Sequence, residues 1–280
     1  MRTIPLSKVV SAVEKLVIDA NYFLDEKVIA SFKKALDTEE SPLGKEILNR
    51  LLENAKIASE EMIPYCQDTG VAVVFVELGE QVRFEGEGLI KAINLGVARG
   101  YKNGYLRKSI VKDPLRRVNT GDNTPAVVHI DLVPGDKLKL KVGVKGSGSE
   151  NMSTYKMLTP AEGLDGVKNF VLETILNAGP NPCPPVVVGI GIGGTMELCT
   201  LLAKKALYRG FGTRNPDRFY ANLEQEFLKE INKLGVGPQS LGGHNTALDV
   251  HIEVHPCHIG SLPVAVNLGG HAHRYKEVEL

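Results

Sequence analysis

The stretch "PPVVVGIGIGGTMELCTLLAKKAL", residues 184–207, decides the fold of this chain. Its first half is an unbroken apolar run, which predicts a strand buried on both faces, and its second half predicts a helix. A Rossmann nucleotide-binding turn is excluded, because Gly-x-Gly-x-Gly-Gly is off-pattern and no acidic residue ends a following strand at the usual distance. The glycine pair Gly193 and Gly194 could still bind an anion at the helix N-terminus.

Outward from this strand and helix, apolar periodicity and turn residues predict further elements. Helices are predicted over about 6–59 and over 87–101, 160–179 and 216–235. Strands are predicted over 71–79, over 125–146 (two strands around a Pro134-Gly135-Asp136 turn), and over 247–255 and 262–268. The pattern predicts an α+β fold, in which a helical N-terminal layer (about 1–60) is followed by mixed β-sheets flanked by helices. No linker is visible, so we expect a single domain over 1–280.

Composition narrows the classes of function. The chain has 280 residues with 43% hydrophobic and 24% charged residues, and Lys+Arg and Asp+Glu both total 33. This balance argues against a nucleic-acid footprint or a basic membrane-binding face. No charge-free stretch of membrane-spanning length and no signal-peptide apolar region is present, so a cytoplasmic protein is expected.

Polar, glycine-rich segments at strand ends carry the candidate chemistry. Cys66, Gln67 and Asp68 come directly before the 71–79 strand, where a simple turn is the competing interpretation. Cys183 lies between two prolines, and a rigid cysteine suits a metal ligand better than a core position. The "KGSGSEN" segment, 145–151, can turn successive backbone N–H groups toward an anion.

Arginines and histidines form two further groups. Arg107 and two later arginines lie in a polar loop, 104–126, and a guanidinium offers the bidentate fork that recognises a carboxylate. Six of the seven histidines fall within 244–273. His251 and His255 lie on a predicted strand, roughly 13 Å apart, too far to bind one metal ion directly. A zinc site is therefore disfavoured, and partly solvated strand histidines are expected.

Taken in order, "CQDTG", "LRKSIV…NTGDNTPA", "KGSGSEN", "CPPVVVGIGIGGT" and "LGGHNTALDV…HPCHIGSLPVAVN…HAHR" resemble the iron–sulfur class I fumarases and the related L-tartrate dehydratases. The resemblance covers about residue 40 to the C-terminus and is strongest to the separate alpha subunit of two-subunit forms. It implies a hydro-lyase with a [4Fe–4S] cluster. Three cysteines would hold the cluster, and its open iron would act as a Lewis acid on a C4 dicarboxylate.

The resemblance also implies roles for single residues. Cys66 and Cys183 match two of the cluster ligands. Asp68 matches a residue of the proton-transfer machinery, and His258 matches a histidine on the substrate side. Residues expected to bind substrate are Gln67, Arg107 and Gly148. The remaining helix cysteine, Cys199, matches no role and is assigned to the core.

One position departs from the family pattern. The third cysteine is expected four residues before the arginine of the last motif, Arg274, and that position is Gly270. Three explanations stay open: Cys257 supplies the third thiolate, His271 ligates instead, or the cluster is weakened or absent. Of these explanations, Cys257 is slightly preferred, because it is the one remaining cysteine near the motif.

The resemblance further implies that a beta subunit completes the active site, in an expected α2β2 assembly. Fumarate-to-malate hydration is the main functional prediction, and L-tartrate dehydration is the alternative. Two hypotheses from other classes remain: a cluster-less relative that serves in binding or assembly, and a mononuclear zinc protein.

Overall fold

The computed structural model describes all of residues 1–280, and the chain divides into two compact units. Unit 1 consists of Met1–Asp25, Ala55–Ser147 and Arg274–Leu280. Unit 2 consists of Glu26–Asn54 and Gly148–His273. Each unit is assembled from separate chain segments, so neither unit corresponds to one continuous stretch of the sequence. The single domain over 1–280 stays a prediction.

Unit 1 is built on a four-stranded sheet in the order β10-β5-β2-β4. Strand β2 lies between β5, to which it is antiparallel, and β4, to which it is parallel. A two-stranded parallel sheet, β1-β3, completes the unit. Its elements are β1 (Arg2–Pro5), α1 (Leu6–Tyr22), the end of α3 (Pro42–Glu61), β2 (Val71–Gly79), β3 (Val82–Glu85), α4 (Leu89–Asn103), β4 (Val127–Val133), β5 (Leu138–Lys145) and β10 (Arg274–Glu279).

The core of unit 1 lies between this sheet and the helix pair α1 and α4. Alternate strand residues such as Val74 and Leu140 are fully buried in it, because successive strand side chains point to opposite faces. Helix α4 lies close to α1, since a Cβ at Gly96 would be 2.7 Å from the carbonyl oxygen of Val10. The helix pair α1 and α4 is therefore tightly packed.

Unit 2 contains a second four-stranded sheet, in the order β6-β9-β7-β8. Its central strand β7 is parallel to β8 and antiparallel to β9. Its elements are α2 (Glu26–Thr38), the start of α3, α5 (Ser147–Glu150), β6 (Thr154–Leu158), α6 (Gly163–Ala178), β7 (Val186–Gly193), α7 (Met196–Leu207), α8 (Arg218–Asn232), a 3-10 turn (Pro238–Ser240), β8 (Ala247–His255) and β9 (Leu262–Gly269).

The glycines of β7 have a packing role. A Cβ at Gly189 would lie 2.3 Å from the carbonyl oxygen of Ala203, and one at Gly191 would lie 2.1 Å from that of Cys199. Helix α7 therefore rests its backbone directly on the strand, a close approach that only glycine allows. This contact explains the alternating glycines of the 184–207 stretch.

Substituting Gly191 with alanine is expected to force α7 away from β7 and to lower the free energy of unfolding by about 1–3 kcal/mol. Urea unfolding followed by circular dichroism measures this change. Gly210→Ala is the matched control, because the added Cβ would have only the Thr213 methyl group within 4 Å, at 3.3 Å. Equal stability of the two variants would contradict the packing role.

Buried Glu39 ties the end of α2 to the loop before β8. It is 2% exposed, and its two carboxylate oxygens accept hydrogen bonds from Glu40 N, Ser41 N, His244 N, Asn245 N and Asn245 Nδ2 at 2.8–3.1 Å. Burial raises the pKa of Glu39, but these hydrogen bonds outweigh it and lower the pKa from 4.5 to about 2.

Replacing Glu39 with glutamine is expected to destabilise the protein by roughly 3 kcal/mol at neutral pH, because both oxygens face donors and an amide offers only one acceptor. A lowered folded-state pKa gives stability that is present above pH 4.5 and lost as the pH falls toward about 2. The difference between wild type and variant should therefore shrink over that range in urea unfolding. Glu40→Gln, at an exposed neighbour, should show no such pH-dependent gap.

A second buried ionic network joins α8 to β8. Glu224, fully buried on α8, accepts hydrogen bonds from Asn215 N at 3.0 Å, from Ile252 N at 2.8 Å and from the Arg209 guanidinium. Arg209 also donates to Glu253 Oε1 at 2.9 Å. The network holds the β8 edge of the sheet against α8.

Asp249 forms the neighbouring part of this network. Its carboxylate contacts His251 Nε2 at 2.9 Å and Arg214 Nη1 at 2.7 Å, and Gly212 N donates to it at 2.7 Å. Burial raises the pKa of Asp249, but these partners outweigh it and lower the pKa to about 2. His251 also contacts the carbonyl oxygen of Ala206 and is fully buried, so the expectation of a partly solvated strand histidine is wrong there.

The α+β prediction is confirmed, and strands β2 and β8 have the predicted bounds. The two strands of 125–146 form as expected but are not neighbours, because β2 lies between β4 and β5. The short strands β1, β3, β6 and β10 were not predicted. No helix in the chain has the length and apolarity needed to span a membrane.

Candidate functional site

The predicted site residues belong to both units and are described unit by unit. Those of unit 1 are Cys66, Gln67, Asp68 and Arg107. Those of unit 2 are Gly148, Cys183, Cys257 and His258. None of the four cysteines of the chain forms a disulfide.

In unit 1, the turn 66–70 between α3 and β2 presents the first group. Cys66 is half-buried, Gln67 is exposed, and the two side chains lie 3.5 Å apart, Sγ to Oε1. The backbone is held from below by Tyr101, whose hydroxyl donates to the carbonyl oxygens of Thr69 and Gly70. The thiol and the amide are therefore displayed on a fixed turn.

Asp68 is the carboxylate of this turn, and several hydrogen bonds hold it in place. Its Oδ2 accepts hydrogen bonds from Ser147 N at 2.8 Å and Ser147 Oγ at 3.2 Å, and its Oδ1 accepts from Gly70 N at 2.9 Å. Burial raises the pKa of Asp68, but these hydrogen bonds and the buried Arg274 guanidinium outweigh it and lower the pKa. Asp68 is therefore an oriented carboxylate anion at neutral pH.

Arg107 lies on an exposed segment bonded to the same turn. Thr69 Oγ1 donates to the carbonyl oxygen of Arg107 at 2.6 Å. Asn123, fully buried, accepts from Ser109 N at 2.6 Å and donates from Nδ2 to Gly70 O at 3.0 Å. One amide side chain thus joins the Arg107 segment to the end of the Cys66–Gly70 turn.

In unit 2, the loop 181–183 is enclosed by close backbone contacts. A Cβ at Gly148 would lie 2.6 Å from Asn181 O, and one at Gly270 would lie 2.2 Å from Pro182 O. The backbone N–H of His271 donates to Cys183 O at 3.1 Å. Three successive carbonyls are therefore contacted by residues 148, 270 and 271, which fixes the loop in place.

Cys183 itself is exposed and lies in the loop that leads into β7, with φ of 57°. Its backbone N–H donates to Pro180 O at 2.9 Å, which closes a tight turn before the strand. The expectation of a rigidly held cysteine agrees with this geometry. An exposed thiol on a fixed loop is available to a metal.

Cys257 and His258 lie at the other end of the same sheet. Gly269 pairs with Val187 near the start of β7, whereas His255 pairs with Gly193 at its end. At about 3.3 Å per residue, these levels are about 20 Å apart. Cys257 remains at the far end, with Sγ 3.3 Å from Ser261 O, so the structure does not bring it to Cys183.

This separation argues against Cys257 as the third ligand of a cluster that Cys183 also binds. His258 is exposed, and its Nδ1 accepts a hydrogen bond from Gly260 N at 3.1 Å. Its substrate-side role stays a prediction from the resemblance.

The supporting residues Ser147, Asn123 and Arg274 were not identified as site residues from the sequence. Their partners lie far away in the chain, as with Ser147 and Asp68, and local patterns carry no such information. Asn123 adopts a left-handed φ of 62°, which asparagine tolerates better than most residues, but this conformation is visible only in the structure.

Two of the three positions expected to ligate an iron–sulfur cluster, Cys66 and Cys183, carry suitable thiol side chains. The third position, Gly270, does not. Cys66 and Cys183 are accessible thiols on turns fixed by hydrogen bonds, as thiolate ligands require. No cysteine can replace Gly270 on this backbone, since its Cβ would overlap Pro182 O. No group of three or more His, Cys, Asp or Glu side chains is arranged to hold a single metal ion.

Comparison with known proteins is consistent with these features. The family model described as fumarate hydratase (fumerase) matches residues 10–279. A Methanocaldococcus jannaschii protein named "Putative L(+)-tartrate dehydratase subunit alpha" is 45% identical over 265 residues, covering 92% of this chain and 93% of that one. Proteins named "L(+)-tartrate dehydratase subunit alpha" from Escherichia coli and Shigella sonnei are 36% and 35% identical over 255 residues, covering 90% of this chain and 84% of each.

Proposed function

This chain belongs to the fumarate hydratase family, and we propose that it is the alpha subunit of a hydro-lyase that adds water to, or removes it from, a C4 dicarboxylate. One observation carries the proposal: the Asp68 carboxylate, held as an anion by Ser147, Gly70 and Arg274, lies on the same turn as Cys66. A fixed base beside a candidate iron ligand suits proton transfer in water elimination.

Recognition of a dicarboxylate needs cations and hydrogen-bond donors. Arg107 is an exposed guanidinium whose backbone is bonded to the 66–70 turn, and Gln67 presents an amide on that turn. We propose that these two side chains bind substrate carboxylate and hydroxyl groups. Gly148 is proposed to contribute a backbone contact, in a segment held by its close approach to Asn181.

We propose a [4Fe–4S] cluster with Cys66 and Cys183 among its ligands, which the accessible thiols on fixed turns support. When bound, the cluster would supply a Lewis-acidic iron for the substrate hydroxyl and carboxylate. The protein's own part is to orient the substrate with Arg107 and Gln67 and to accept or return a proton at an Asp68 oxygen.

The partner is proposed to be a beta subunit in an α2β2 assembly. The names of the relatives, which specify a subunit alpha, support a second kind of chain. Those relatives are also named for L(+)-tartrate, so L-tartrate dehydration is the second candidate beside fumarate hydration. We propose a cytoplasmic location, consistent with the chain's composition.

The test is turnover by this chain purified together with its beta subunit and reconstituted anaerobically with iron and sulfide. Formation of oxaloacetate from L-tartrate, and interconversion of malate and fumarate, are measured on one preparation. Activity on either substrate supports the hydro-lyase, and the ratio of the two kcat/KM values assigns the substrate. A preparation that carries a cluster but turns over neither would contradict the proposal.

A further inference from the structure

We propose that a second copy of this chain pairs with the β4 edge of the unit 1 sheet, antiparallel and about a twofold axis at Ile130. Such pairing joins two four-stranded sheets into one sheet of eight strands. This inference goes beyond the proposed function, because it concerns the association of two copies and not the reaction. Three features of β4 carry it: its exposed apolar side chains, the direction of its backbone groups, and the order of its residues.

The first feature is an apolar strand edge that is exposed to solvent. Strand β4 is the last strand of its sheet and pairs only with β2. Val76 on β2 is 1% exposed, whereas Ile130, its neighbour in the register, is 43% exposed and Leu132 is 71% exposed. The apolar face of the sheet therefore continues beyond the part of it that the core of unit 1 covers.

The opposite edge of the same sheet, strand β10, is built differently. Four of the six residues of β10 are charged, and charged side chains discourage pairing at a sheet edge. Strand β4 has one charged residue in seven, and it contains no proline and no lysine. An apolar edge without such protection is suited to pairing with another strand.

The second feature is the direction of the β4 backbone groups. Glu80 N, just after the end of β2, donates to Val133 O at 2.9 Å, so this carbonyl points toward the β2 side. The N–H and C=O groups of successive residues point to opposite sides of a strand. Val128, Ile130 and Leu132 therefore direct their N–H and C=O groups toward the outer edge of the sheet.

The third feature is the order of residues about Ile130, the middle of the seven-residue strand. In an antiparallel pair centred there, Ile130 faces Ile130 of the second copy and Val128 faces Leu132, and these pairs exchange backbone hydrogen bonds. His129 then lies opposite Asp131 of the second copy, at the closer Cα spacing of about 4.5 Å. An imidazole N–H can donate to a carboxylate, and twofold symmetry makes this contact twice.

The experiment exchanges the opposed side chains in the full-length chain, purified without its beta subunit. His129→Asp, Asp131→Lys and the double variant are compared with wild type by sedimentation equilibrium at neutral pH. Glu85→Lys is the matched control, because Glu85 is exposed at the end of β3 in the other sheet of unit 1. Circular dichroism and thermal unfolding verify that each variant is folded.

A wild-type dimer is expected, and each single variant should raise its dissociation constant by roughly 10-fold, because unmatched side chains then face each other at two symmetric contacts. The double variant should return close to the wild-type value, since a carboxylate again faces a cation. It also loses the stacking of His129 on Phe75, so its recovery separates pairing from any effect on folding. Glu85→Lys should leave the dissociation constant unchanged.

Hydrogen exchange, read at single residues by mass spectrometry, tests the register directly. It is measured on the wild type above and below the dimer dissociation constant. The amide hydrogens of Val128, Ile130 and Leu132 should exchange more slowly in the dimer than in the monomer. Those of His129 and Asp131 should exchange equally in both states, because their N–H groups point toward β2.

Three outcomes would overturn the inference. The first is a wild-type chain that stays monomeric at every concentration at which it is soluble. The second is a dimer whose dissociation constant is the same in wild type and both single variants. The third is protection of the β4 amides only after the beta subunit is added, which would assign this edge to that subunit. None of these measurements depends on turnover, so they leave the proposed function to its own test.

Discussion

Replacing Cys183 with serine is expected to remove the iron and lower turnover by more than about 100-fold, since loss of even an outer-shell partner of a metal ligand costs about 10–100-fold. Serine keeps the size and the backbone conformation of the cysteine. The side chain is exposed, and the loop is held by its backbone contacts with Gly148, Gly270 and His271. The loss should therefore be chemical, with no change in folding.

Iron analysis, visible absorption and kcat/KM measured on the purified complex check this expectation, and thermal unfolding verifies that the fold is unchanged. Cys257→Ser is the matched control, because Cys257 is equally exposed but lies at the other end of the sheet. It should retain both iron and activity. A Cys183→Ser protein that keeps its cluster would remove Cys183 from the ligand set.

Replacing Glu224 with alanine is expected to lower the free energy of unfolding by roughly 3–5 kcal/mol, because buried hydrogen-bond donors lose their charged acceptor. Arg209 would keep only its contact with Glu253, and the backbone N–H groups of Asn215 and Ile252 would lose their acceptor. The β8 edge of the unit 2 sheet should become the weakest part of that unit.

Urea unfolding of the wild type and the variant measures the change. Glu226→Ala on the same helix is the control, since Glu226 pairs with Lys168 at the surface and such pairs contribute about 0–1 kcal/mol. Glu224→Gln should lie between the two, because it keeps an acceptor but loses the charge. Indistinguishable stabilities of Glu224→Ala and Glu226→Ala would show that the network does not stabilise the fold.

Local patterns were sufficient to predict most elements but not how the strands pair. Strand β2 was predicted with its observed bounds because the eight residues between Gly70 and Gly79 are all apolar except Glu77. The turn at Pro134-Gly135-Asp136 was also recognised, yet β4 and β5 both pair with β2 and not with each other. Pairing over long sequence separations depends on tertiary contacts that a local window does not contain.

The same limit applies to the candidate site. Cys66, Asp68 and Cys183 are recognisable from motif order, because their neighbours in sequence are distinctive. Ser147, Arg274 and Asn123, which hold Asp68 and the Arg107 segment, contact partners distant in sequence. The sequence showed that Gly270 departs from the family pattern. The reason, the position of Pro182 O, required coordinates.

The enclosed 181–183 loop has a consequence for folding kinetics. Strands β5 and β10 pair across about 130 residues of chain, a closure that is entropically costly in an unfolded protein. In unit 2, Gly148 lies against Asn181 and Gly270 lies against Pro182. Folding of unit 2 therefore brings together the two ends of the chain that connects β5 to β10. We therefore expect β10 to join its sheet late, and pulsed hydrogen exchange during refolding should protect β7 amides before those of β10.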